Sequence, residues 1–518
     1  MNLDRRSTLK LLSTGAGALL FRGMLGQNLP QLSPGPFIAT RDSLTHYSIP
    51  QWFGDAKFGI WAHWGPQSAV GDGDWYARNM YMEGSAQYNY HRQRFGPQSR
   101  VGYKDLIPLF TADRWDPDAL MDLYVNAGAK YFFSMGVHHD NFDMWNSKYQ
   151  PRWNAVASGP KKDVVGLWAA AARKRGLRFG VSDHLSNSFD WFAPSHLGDT
   201  TGQYAGVPYD GVDSAYADLY HNYAGEPSDF AHTAKAMGRV APDQWKLEYV
   251  RRIKDLIDQH QPDLLYTDGG IPFDQYGLAT VAEEYNVSAG THQGQVASIY
   301  NSKIPADCAV GTCVLDRERG VLDGIQLQPW QTDTCIGDWH YKKGIRYKSA
   351  KKVIDLLVDI VSKNGNLLLN LPLPASGELD ADERVVLSGI TEWMKINGEG
   401  IFSSRPWKIY GEGPSTLVKT GAGMNEDEKP DLTAQDFRFT TRGEMLYVFV
   451  QGWPQGEFVI QALGRASAQA PGRVAMVEML GVSEPLRFRQ EDSVLRVTPP
   501  VVKPAAADKG VTLRVRLA

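Results

Sequence analysis

The sequence DLLYTDGG, from Asp263 to Gly270, joins a short apolar run to a carboxylate and two glycines. An apolar run of this length is typical of a buried strand. Asp268 would then lie at the carboxyl end of the strand, where the chain turns into a loop. In a (β/α)8 barrel the chemistry gathers at that end of the strands. Asp268 is therefore a candidate nucleophile, base or metal ligand, and the alternative is that it caps a helix or begins a turn.

Strand-like and helix-like stretches alternate on both sides of this run, which favours an α/β architecture. The other stretches typical of strands are residues 57–64, 130–139, 177–185, 297–302 and 364–372. Apolar residues recur at helical spacing at 118–127, 164–175 and 245–261. Two further strands are expected around 309–315 and 326–333. The fold class that these stretches predict is a (β/α)8-like barrel.

After about Ser404 the pattern changes to short alternating segments separated by Gly, Pro and Asp, which predicts a C-terminal β-sandwich. Residues 380–397 are expected to form a helix that links the two parts. The predicted organisation is a signal and linker at residues 1–35, a catalytic barrel at 45–400 and a β-sandwich at 405–518.

The N-terminus resembles a twin-arginine export signal. The pair Arg5-Arg6 is followed by Leu9 and Lys10 and then by an apolar run at residues 11–21. This run is too short to span a bilayer, and no cysteine follows it that could carry a lipid anchor. We therefore predict export to the periplasm or beyond without a membrane anchor, and the alternative is an ordinary amphipathic N-terminal helix.

Composition narrows the classes of partner. Hydrophobic residues make up 43% of the 518 residues, charged residues make up 22%, and the formal net charge is −4. This balance does not indicate nucleic acid or an anionic membrane as the main partner. The cysteines Cys308, Cys313 and Cys335 are expected to be three unreactive thiols, although Cys308 and Cys313 are spaced so that they could bridge. The sequence does not specify an oligomeric state.

Histidine and aspartate side chains follow the first four barrel strands predicted from the sequence. They are His63, His138, His139, Asp140, Asp183, His184 and Asp268. Such a set at one end of a barrel suits either a metal hydrolase, with histidines and Asp268 as ligands, or a glycoside hydrolase. The first strand ends in H-W-G rather than the H-x-H of many metal barrels. Tryptophans also accompany the strand ends, at positions 61, 64, 75 and 145, and these favour a sugar site.

Glycoside hydrolysis by this chemistry requires a second carboxylate. The segment DRERG, residues 316–320, offers Glu318, and the other carboxylates nearby are Asp316, Asp333 and Asp338. The alternative for Glu318 is a surface ion pair with Arg317 or Arg319. A non-catalytic sugar-binding protein would lack one carboxylate, so the presence of both Asp268 and Glu318 argues against that class.

Several motifs in order resemble the family 29 glycoside hydrolases, the α-L-fucosidases. They are FGIWAHWG, GDWYARNMY, HHDNFDMWNS, DLLYTDGG, NGNLLLNLPLPASGELD and INGEGIFSSRPW, which lie between about Trp52 and Trp407. The resemblance implies a barrel, a C-terminal β-sandwich and a retaining mechanism that uses no metal or other cofactor. It also implies a fucosylated oligosaccharide or polysaccharide as substrate. An α-L-galactosidase-like enzyme of the same fold is the alternative, since its substrate differs by one hydroxyl.

The resemblance also assigns roles. Asp268 matches the family's nucleophile, and Tyr266 stands where the family often has Trp. The residues that match its sugar-binding positions are His63, Asp74, Trp75, His138 and His139. His184, at a strand end where the family usually has tyrosines, is the candidate for a further contact. Asp74 replaces the Glu of the family's E-W-Y segment, so it would reach a hydroxyl only if its loop moves in.

The resemblance leaves two places for the general acid. Some members have it in an E-x-G-like segment, which matches Glu318, and others in a P-W-E segment, which here reads Pro329-Trp330-Gln331. Glutamine does not transfer a proton at ordinary pH, so Glu318 is the predicted acid/base. A retaining mechanism requires the carboxyl groups of Asp268 and Glu318 to lie about 5–5.5 Å apart.

Overall fold

The computed structural model describes residues 29–309, 311–417, 424–428, 430–469 and 472–518. The predicted export signal falls mainly on residues 1–28, outside the described residues. Among the helices that are described, none has both the length and the apolarity needed to cross a membrane.

Parallel strands form the barrel sheet. They are β1 Phe58–Ala62, β2 Tyr131–Val137, β3 Arg178–Asp183, β4 Leu264–Thr267, β5 Ile299–Ser302, β6 Val314–Leu315, β7 Trp330–Cys335 and β8 Gly365–Asn370. Their order is β6-β5-β4-β3-β2-β1-β8-β7, and a parallel bridge between Asp316 and Gln331 joins the two edges. The sheet is thus a nearly closed barrel of eight strands, which confirms the predicted fold class.

Helices surround the barrel and fill the connections between its strands. The α-helices of the described residues are α1 Arg41–Leu44, α2 Gln51–Ala56, α3 Tyr76–Asn79, α4 Ala86–Phe95, α5 Tyr103–Leu106, α6 Pro117–Asn126, α7 Val164–Lys174, α8 Ser188–Trp191, α9 Ala217–Tyr220, α10 Phe230–Ala236, α11 Asp243–His260, α12 Gln275–Thr291, α13 Pro305–Cys308, α14 Ala350–Ser362 and α15 Ala381–Asn397. The three helices predicted from apolar spacing correspond to α6, α7 and α11, and the predicted linking helix corresponds to α15.

Glycines on the barrel strands make room for large rings on the neighbouring strands. A Cβ atom on Gly59 would lie 2.2 Å from the ring of Tyr131, its partner in register. A Cβ atom on Gly180 would lie 2.8 Å from the ring of Phe133, which is also its partner. Close packing of this kind fixes the strands, so the residues that follow them have well-defined positions.

The C-terminal part is antiparallel, as predicted. Its strands are β9 Arg405–Glu412, β10 Phe437–Arg442, β11 Met445–Val450, β12 Phe458–Ile460, β13 Val474–Met479, β14 Phe488–Gln490, β15 Leu495–Val497 and β16 Val511–Leu517. They form a five-stranded sheet, β13-β16-β11-β10-β9, and a three-stranded sheet, β12-β15-β14. Arg438 on β10 donates a 2.6 Å hydrogen bond to Asp359 on α14, which ties the first sheet to the barrel.

The expectation of three free thiols is wrong for two of the cysteines. Cys308 and Cys313 form a disulfide, with their Cα atoms 4.7 Å apart. The chain turns sharply after α13, where the Gly311 N–H donates to the Cys308 carbonyl at 3.0 Å, and this turn brings the two residues together. Cys335 is free and buried, and burial raises the pKa of its thiol to about 12, so it is unreactive.

A buried ion pair supports the loop that follows β2. Arg252 on α11 donates to Asp143 through Nε at 3.2 Å and through Nη2 at 2.5 Å, and its Nη1 donates to Asn141 at 2.6 Å. Both charged side chains are 0% exposed. Burial raises the pKa of Asp143 to about 6, although Arg252 opposes this shift. The ion pair therefore holds the loop that begins with His138 and His139.

Replacing Arg252 with methionine should destabilise the fold by about 3–5 kcal/mol, because Asp143 would remain buried without a counter-charge. Urea unfolding measures this change. Arg114→Met is the matched control, since it removes an exposed ion pair with Glu378 and should cost less than about 1 kcal/mol. Equal unfolding midpoints for Arg252→Met and the wild type would show that this ion pair does not stabilise the loop.

Candidate active site

Six barrel strands are followed directly by a polar or charged residue at the same end of the barrel. In the order β1 to β6 these residues are His63, His138, His184, Asp268, Lys303 and Asp316. Parallel strands bring these positions together, because their carboxyl ends share one rim. The structure therefore gathers His63, His138, His184 and Asp268 at one rim. Of the other predicted strand-end residues, Asp140 and Asp183 instead accept hydrogen bonds from Tyr103 and Tyr249.

Asp268 lies at the centre of this rim. Its Oδ1 accepts a 2.6 Å hydrogen bond from the Lys303 ammonium, and its Oδ2 lies 3.2 Å from His139 Nε2 and 3.4 Å from His184 Nδ1. Burial alone would raise the pKa of Asp268. The ammonium and the histidines outweigh burial and hold this pKa well below its usual range. Asp268 is thus a fully ionised carboxylate, as a nucleophile must be.

Glu318 lies on a backbone segment that continues β6 alongside β7. The N–H groups of Arg317 and Arg319 donate to the carbonyls of Gln331 and Asp333 at 2.9 and 2.8 Å. The Gly320 N–H then donates to the Arg317 carbonyl at 3.3 Å, so Glu318 and Arg319 are the central residues of a turn, and Glu318 faces the site from this turn. Its Oε2 accepts a 2.5 Å hydrogen bond from Lys303, and its Oε1 accepts one from Trp339 Nε1 at 3.2 Å.

The environment of Glu318 suits an acid. Burial raises the pKa of its carboxyl above the usual range, although the Lys303 ammonium opposes this shift. The surface ion pair considered as an alternative is not formed, because Arg319 pairs with Glu426 and Asp427 instead. Glu318 and Asp268 therefore have pKa shifts of opposite sign, the pattern expected of an acid and a nucleophile.

The separation of the two carboxyl groups follows from their shared partner. Lys303 Nζ lies 2.6 Å from Asp268 Oδ1 and 2.5 Å from Glu318 Oε2, so these two oxygens can be no more than about 5 Å apart. Retaining glycosidases hold their carboxyl groups at about 5–5.5 Å and inverting ones at about 6.5–9.5 Å. The facing oxygens of Asp268 and Glu318 therefore lie closer together than the separation that inverting enzymes use.

Lys303 is a functional residue that the sequence reasoning missed. It directly follows β5, so the rule that selected Asp268 at the end of β4 would also have selected it. Its side chain is 16% exposed, and its ammonium also lies 5.6 Å from the centre of the Tyr266 ring. Burial would lower the pKa of Lys303, but the surrounding carboxylates raise it well above its usual range. Lys303 is therefore a permanent cation between the two carboxyl groups.

The predicted sugar-binding histidines are packed around these carboxylates. Gln67 Nε2 lies 2.7 Å from His138 Nδ1, while its Oε1 faces the Ala77 N–H, so His138 carries its proton on Nε2. Burial and the neighbouring imidazoles lower the pKa of both His63 and His138 well below the usual range. Neither ring nitrogen of His63 has a hydrogen-bond partner within the described residues. Neutral rings with free nitrogens suit the hydroxyls of a bound sugar.

Asp74 has a partner that the sequence did not reveal. Its Oδ1 lies 2.6 Å from His340 Nδ1 and 3.9 Å from His138 Nε2. His340 lies on the long connection after β7, far from Asp74 in sequence, so no local pattern could have linked them. Trp75 next to it has a left-handed backbone, with φ at 59°, and its ring packs edge-on against His139 with centroids 6.1 Å apart. Trp75 and Asp74 therefore lie against the same cluster of histidines.

Tyr266 lies deeper than the other predicted sugar-binding residues. It is 0% exposed, and its hydroxyl donates to Asp333 at 3.1 Å inside the barrel. Of the tryptophans expected to offer a stacking surface, positions 61, 64 and 145 are buried, at 1%, 1% and 0% exposed. That expectation is wrong for these three, which fill the core. The partly exposed tryptophans near the carboxylates are Trp75 and Trp339.

Gln331, at the position where some family members have an acid, does not face the site. It is 0% exposed on β7, where its Nε2 donates to Asp316 at 2.6 Å and its Oε1 accepts from Tyr131 at 3.0 Å. Asp316 is also buried, and burial raises its pKa well above the usual range. These residues close the barrel between β6 and β7 and leave Glu318 as the carboxyl that faces Asp268.

Two overlapping groups in this rim have donor atoms close enough together to hold a metal ion. They are His63, Asp74, His138 and His340, and His138, His139 and His184, with donor atoms in each group within 4.8 Å of one another. In the first group Asp74 already accepts a hydrogen bond from His340. In the second, His139 Nδ1 already donates to the His184 carbonyl at 2.7 Å. The hydrogen bonds present orient these donors without an ion.

Comparison with known proteins agrees with this geometry. A family model described as Alpha-L-fucosidase matches residues 25–399. The chain belongs to the α-L-fucosidase family. It is therefore a glycoside hydrolase, and the resemblance noted in the sequence is confirmed.

Known members of the family align with most of the chain. It is 26% identical to the tissue alpha-L-fucosidase of Rattus norvegicus over 491 residues, which cover 92% of this chain and 91% of the rat protein. It is also 26% identical to the plasma alpha-L-fucosidase of Homo sapiens, over 89% of this chain and 87% of that protein. The crystal structure of Thermotoga maritima alpha-fucosidase in complex with fucose is similar, with a TM-score of 0.67 and 26% identity over 92% of this chain and 99% of that one.

Lys303→Met should move the whole pH profile of kcat/KM to higher pH. Loss of the ammonium raises the pKa of Asp268, so the nucleophile ionises only at higher pH and the acid limb moves up. The same loss raises the pKa of Glu318, so the acid stays protonated to higher pH and the alkaline limb also moves up. Lys246→Met, which removes a surface ion pair, is the control. A profile that Lys303→Met leaves in place would contradict the assigned electrostatics.

Proposed function

We propose that this family member is a retaining exo-α-L-fucosidase that removes terminal α-L-fucosyl residues from fucosylated oligosaccharides or polysaccharides. The observation that carries the proposal is the arrangement of Asp268 and Glu318 on one ammonium, with opposite pKa shifts and no more than about 5 Å between their facing oxygens. Both residues are needed for double displacement.

In the first step, an Asp268 carboxylate oxygen attacks the anomeric carbon. The bond from that carbon to the leaving oxygen breaks, and the carboxyl proton of Glu318 passes to the leaving oxygen. The products of this step are a glycosyl ester on Asp268, the released aglycone and a Glu318 carboxylate. The raised pKa of Glu318 keeps the proton available for this transfer.

In the second step, the Glu318 carboxylate takes a proton from a water molecule, whose oxygen attacks the anomeric carbon. The ester bond to Asp268 breaks, which releases fucose and regenerates both carboxyl groups. Two inversions at one carbon give net retention. Lys303 stabilises the Asp268 carboxylate as it leaves and lowers the proton affinity of the neighbouring Glu318.

The surrounding residues hold the sugar. We assign the hydroxyl contacts to His63, His138, His139 and His184, which are buried around the carboxylates. Asp74 and Trp75 border the same space from the loop after β1. The Tyr266 ring lies against Lys303, with its centre 5.6 Å from the ammonium. This assignment uses hydrogen bonds and apolar contact, and needs no metal or other cofactor.

Asp268→Ala should lower kcat for an aryl α-L-fucoside by roughly 10⁴-fold, because the variant lacks the carboxylate that attacks the anomeric carbon. Steady-state kinetics measure the loss, and an unchanged thermal unfolding midpoint confirms that the variant folds. Wild-type enzyme dialysed against a chelator is the companion sample and should keep full activity. Near wild-type turnover by Asp268→Ala would overturn the nucleophile, and loss of activity on chelation would support a metal hydrolase instead.

Export through the twin-arginine route is a further part of this proposal. The Arg5-Arg6 motif supports it, and so does the Cys308–Cys313 disulfide, because disulfides persist in oxidising compartments.

Replacing Arg5 and Arg6 with lysines should leave the enzyme in the cytoplasm, because the export machinery reads the arginine pair. Fractionation of cells that produce the wild type or this variant, followed by fucosidase assay, measures the distribution. Cytoplasmic retention of the wild-type enzyme itself would contradict export.

A further inference from the structure

The loop that carries Glu318 is held by two residues from beyond the barrel. Asn425 and Glu426 belong to the described segment 424–428, between β9 and β10 of the C-terminal part. The side-chain oxygen of Asn425 accepts from the Val321 N–H at 2.9 Å, and its Nδ2 donates to the Val321 carbonyl at 3.2 Å. The amide side chain of Asn425 therefore forms hydrogen bonds with both the N–H and the carbonyl of Val321.

Glu426 binds the same loop two residues earlier. Its carboxylate accepts from Arg319 Nε at 2.8 Å, and its own N–H donates to the Arg319 carbonyl at 2.9 Å. Both the side chain and the backbone of Arg319 are thus fixed. Arg319 has a left-handed backbone, with φ at 42°, a conformation that costs energy for a residue with a side chain. The contacts with Glu426 compensate for that cost.

Glu426 is connected to the barrel as well as to the loop. Thr334 on β7 donates to its Oε2 at 2.6 Å, and Lys348 donates to its Oε1 at 2.9 Å. The residue is 2% exposed. Burial would raise the pKa of Glu426, but Lys348 and these hydrogen bonds outweigh it and lower the pKa below its usual range. Glu426 is therefore a fixed anion at the pH values where the enzyme works.

The direction of Glu318 depends on its neighbour. Glu318 and Arg319 are adjacent residues of one turn, in which Arg319 points outward to Glu426 while Glu318 points inward to Lys303. Rotation or displacement at Arg319 would move Glu318 relative to Asp268. A misplacement of about 1 Å is enough to cost on the order of 10²-fold in rate.

We propose that Asn425 and Glu426 are positioning residues for the general acid, so that the C-terminal part of the chain completes the active site of the barrel. This inference rests on the proposed role of Glu318. It gives the C-terminal part a function in proton transfer in addition to its contribution to stability.

A defect in proton donation lowers kcat/KM by an amount that depends on the leaving group. An aglycone with a very acidic hydroxyl leaves without protonation, whereas an alkyl or sugar aglycone requires the acid. The kcat/KM values for the two kinds of fucoside report the first step only, since release of the aglycone is irreversible. A positioning role therefore predicts a loss that depends on the leaving group, while a merely structural role predicts equal losses.

The test compares Glu426→Gln with Asp427→Asn in the full-length enzyme. Glutamine keeps the size of the Glu426 side chain and removes its charge. Asp427 also pairs with Arg319, at 2.9 Å, but it is 75% exposed and serves as the matched control. We expect Glu426→Gln to lower kcat/KM by about tenfold or more for an alkyl or oligosaccharide fucoside. For a dinitrophenyl fucoside the loss should be less than about threefold, and Asp427→Asn should change neither value by more than about twofold.

Equal losses of Glu426→Gln on both substrates, or no loss on either, would overturn the proposal. Arg319→Gln removes the same contact from the loop side and gives a second variant if Glu426→Gln does not fold. It should show the same dependence on the leaving group. Glu318→Ala, measured in parallel, tests the underlying role of Glu318: if its losses are equal on both substrates, the failure lies in the proposed acid and not in its positioning.

Discussion

The active site depends on one ammonium group shared by two partly buried carboxyl groups. Transfer of ionisable groups into such a site is costly, and a buried ion pair is weak evidence for stability. In this site the two carboxyl groups have pKa shifts of opposite sign, although they share one ammonium. Asp268 has two histidines as additional partners and remains ionised, whereas Glu318 has fewer polar partners and keeps a raised pKa. One cation therefore supports a nucleophile and an acid whose facing oxygens lie no more than about 5 Å apart.

The rest of the fold positions Asp268, Glu318 and Lys303. Barrel strands fixed by close packing place Asp268 and Lys303 at the ends of adjacent strands, β4 and β5. The buried Arg252–Asp143 ion pair holds the loop of His138 and His139. Glu318 differs because it lies on a loop, three residues after the end of a two-residue strand. It accordingly receives support from the connection after β7, through Trp339, and from the C-terminal part, through Glu426.

Much of this arrangement was predictable from the sequence, because apolar runs that end in a polar residue define the barrel strands and their rim together. The sequence patterns of strands β6 and β7 were weaker than those of the other barrel strands. The reason is that β7 reads WQTDTC, and Gln331 and Asp333 make hydrogen bonds inside the barrel rather than apolar contacts. The tryptophans were misinterpreted for a related reason, since composition does not distinguish a ring that fills the core from one that lines a cavity. Contacts between distant segments, such as Asp74 with His340, leave no local pattern.

The central claim is that Asp268 and Glu318 act by double displacement, and the stereochemistry of the first product tests it most directly. Proton NMR of an aryl α-L-fucoside mixed with enzyme follows the anomeric signal before mutarotation. Double displacement predicts that α-L-fucose appears first and that the β anomer grows only later. If β-L-fucose appeared first, the reaction would be an inversion, and Asp268 could not be the nucleophile.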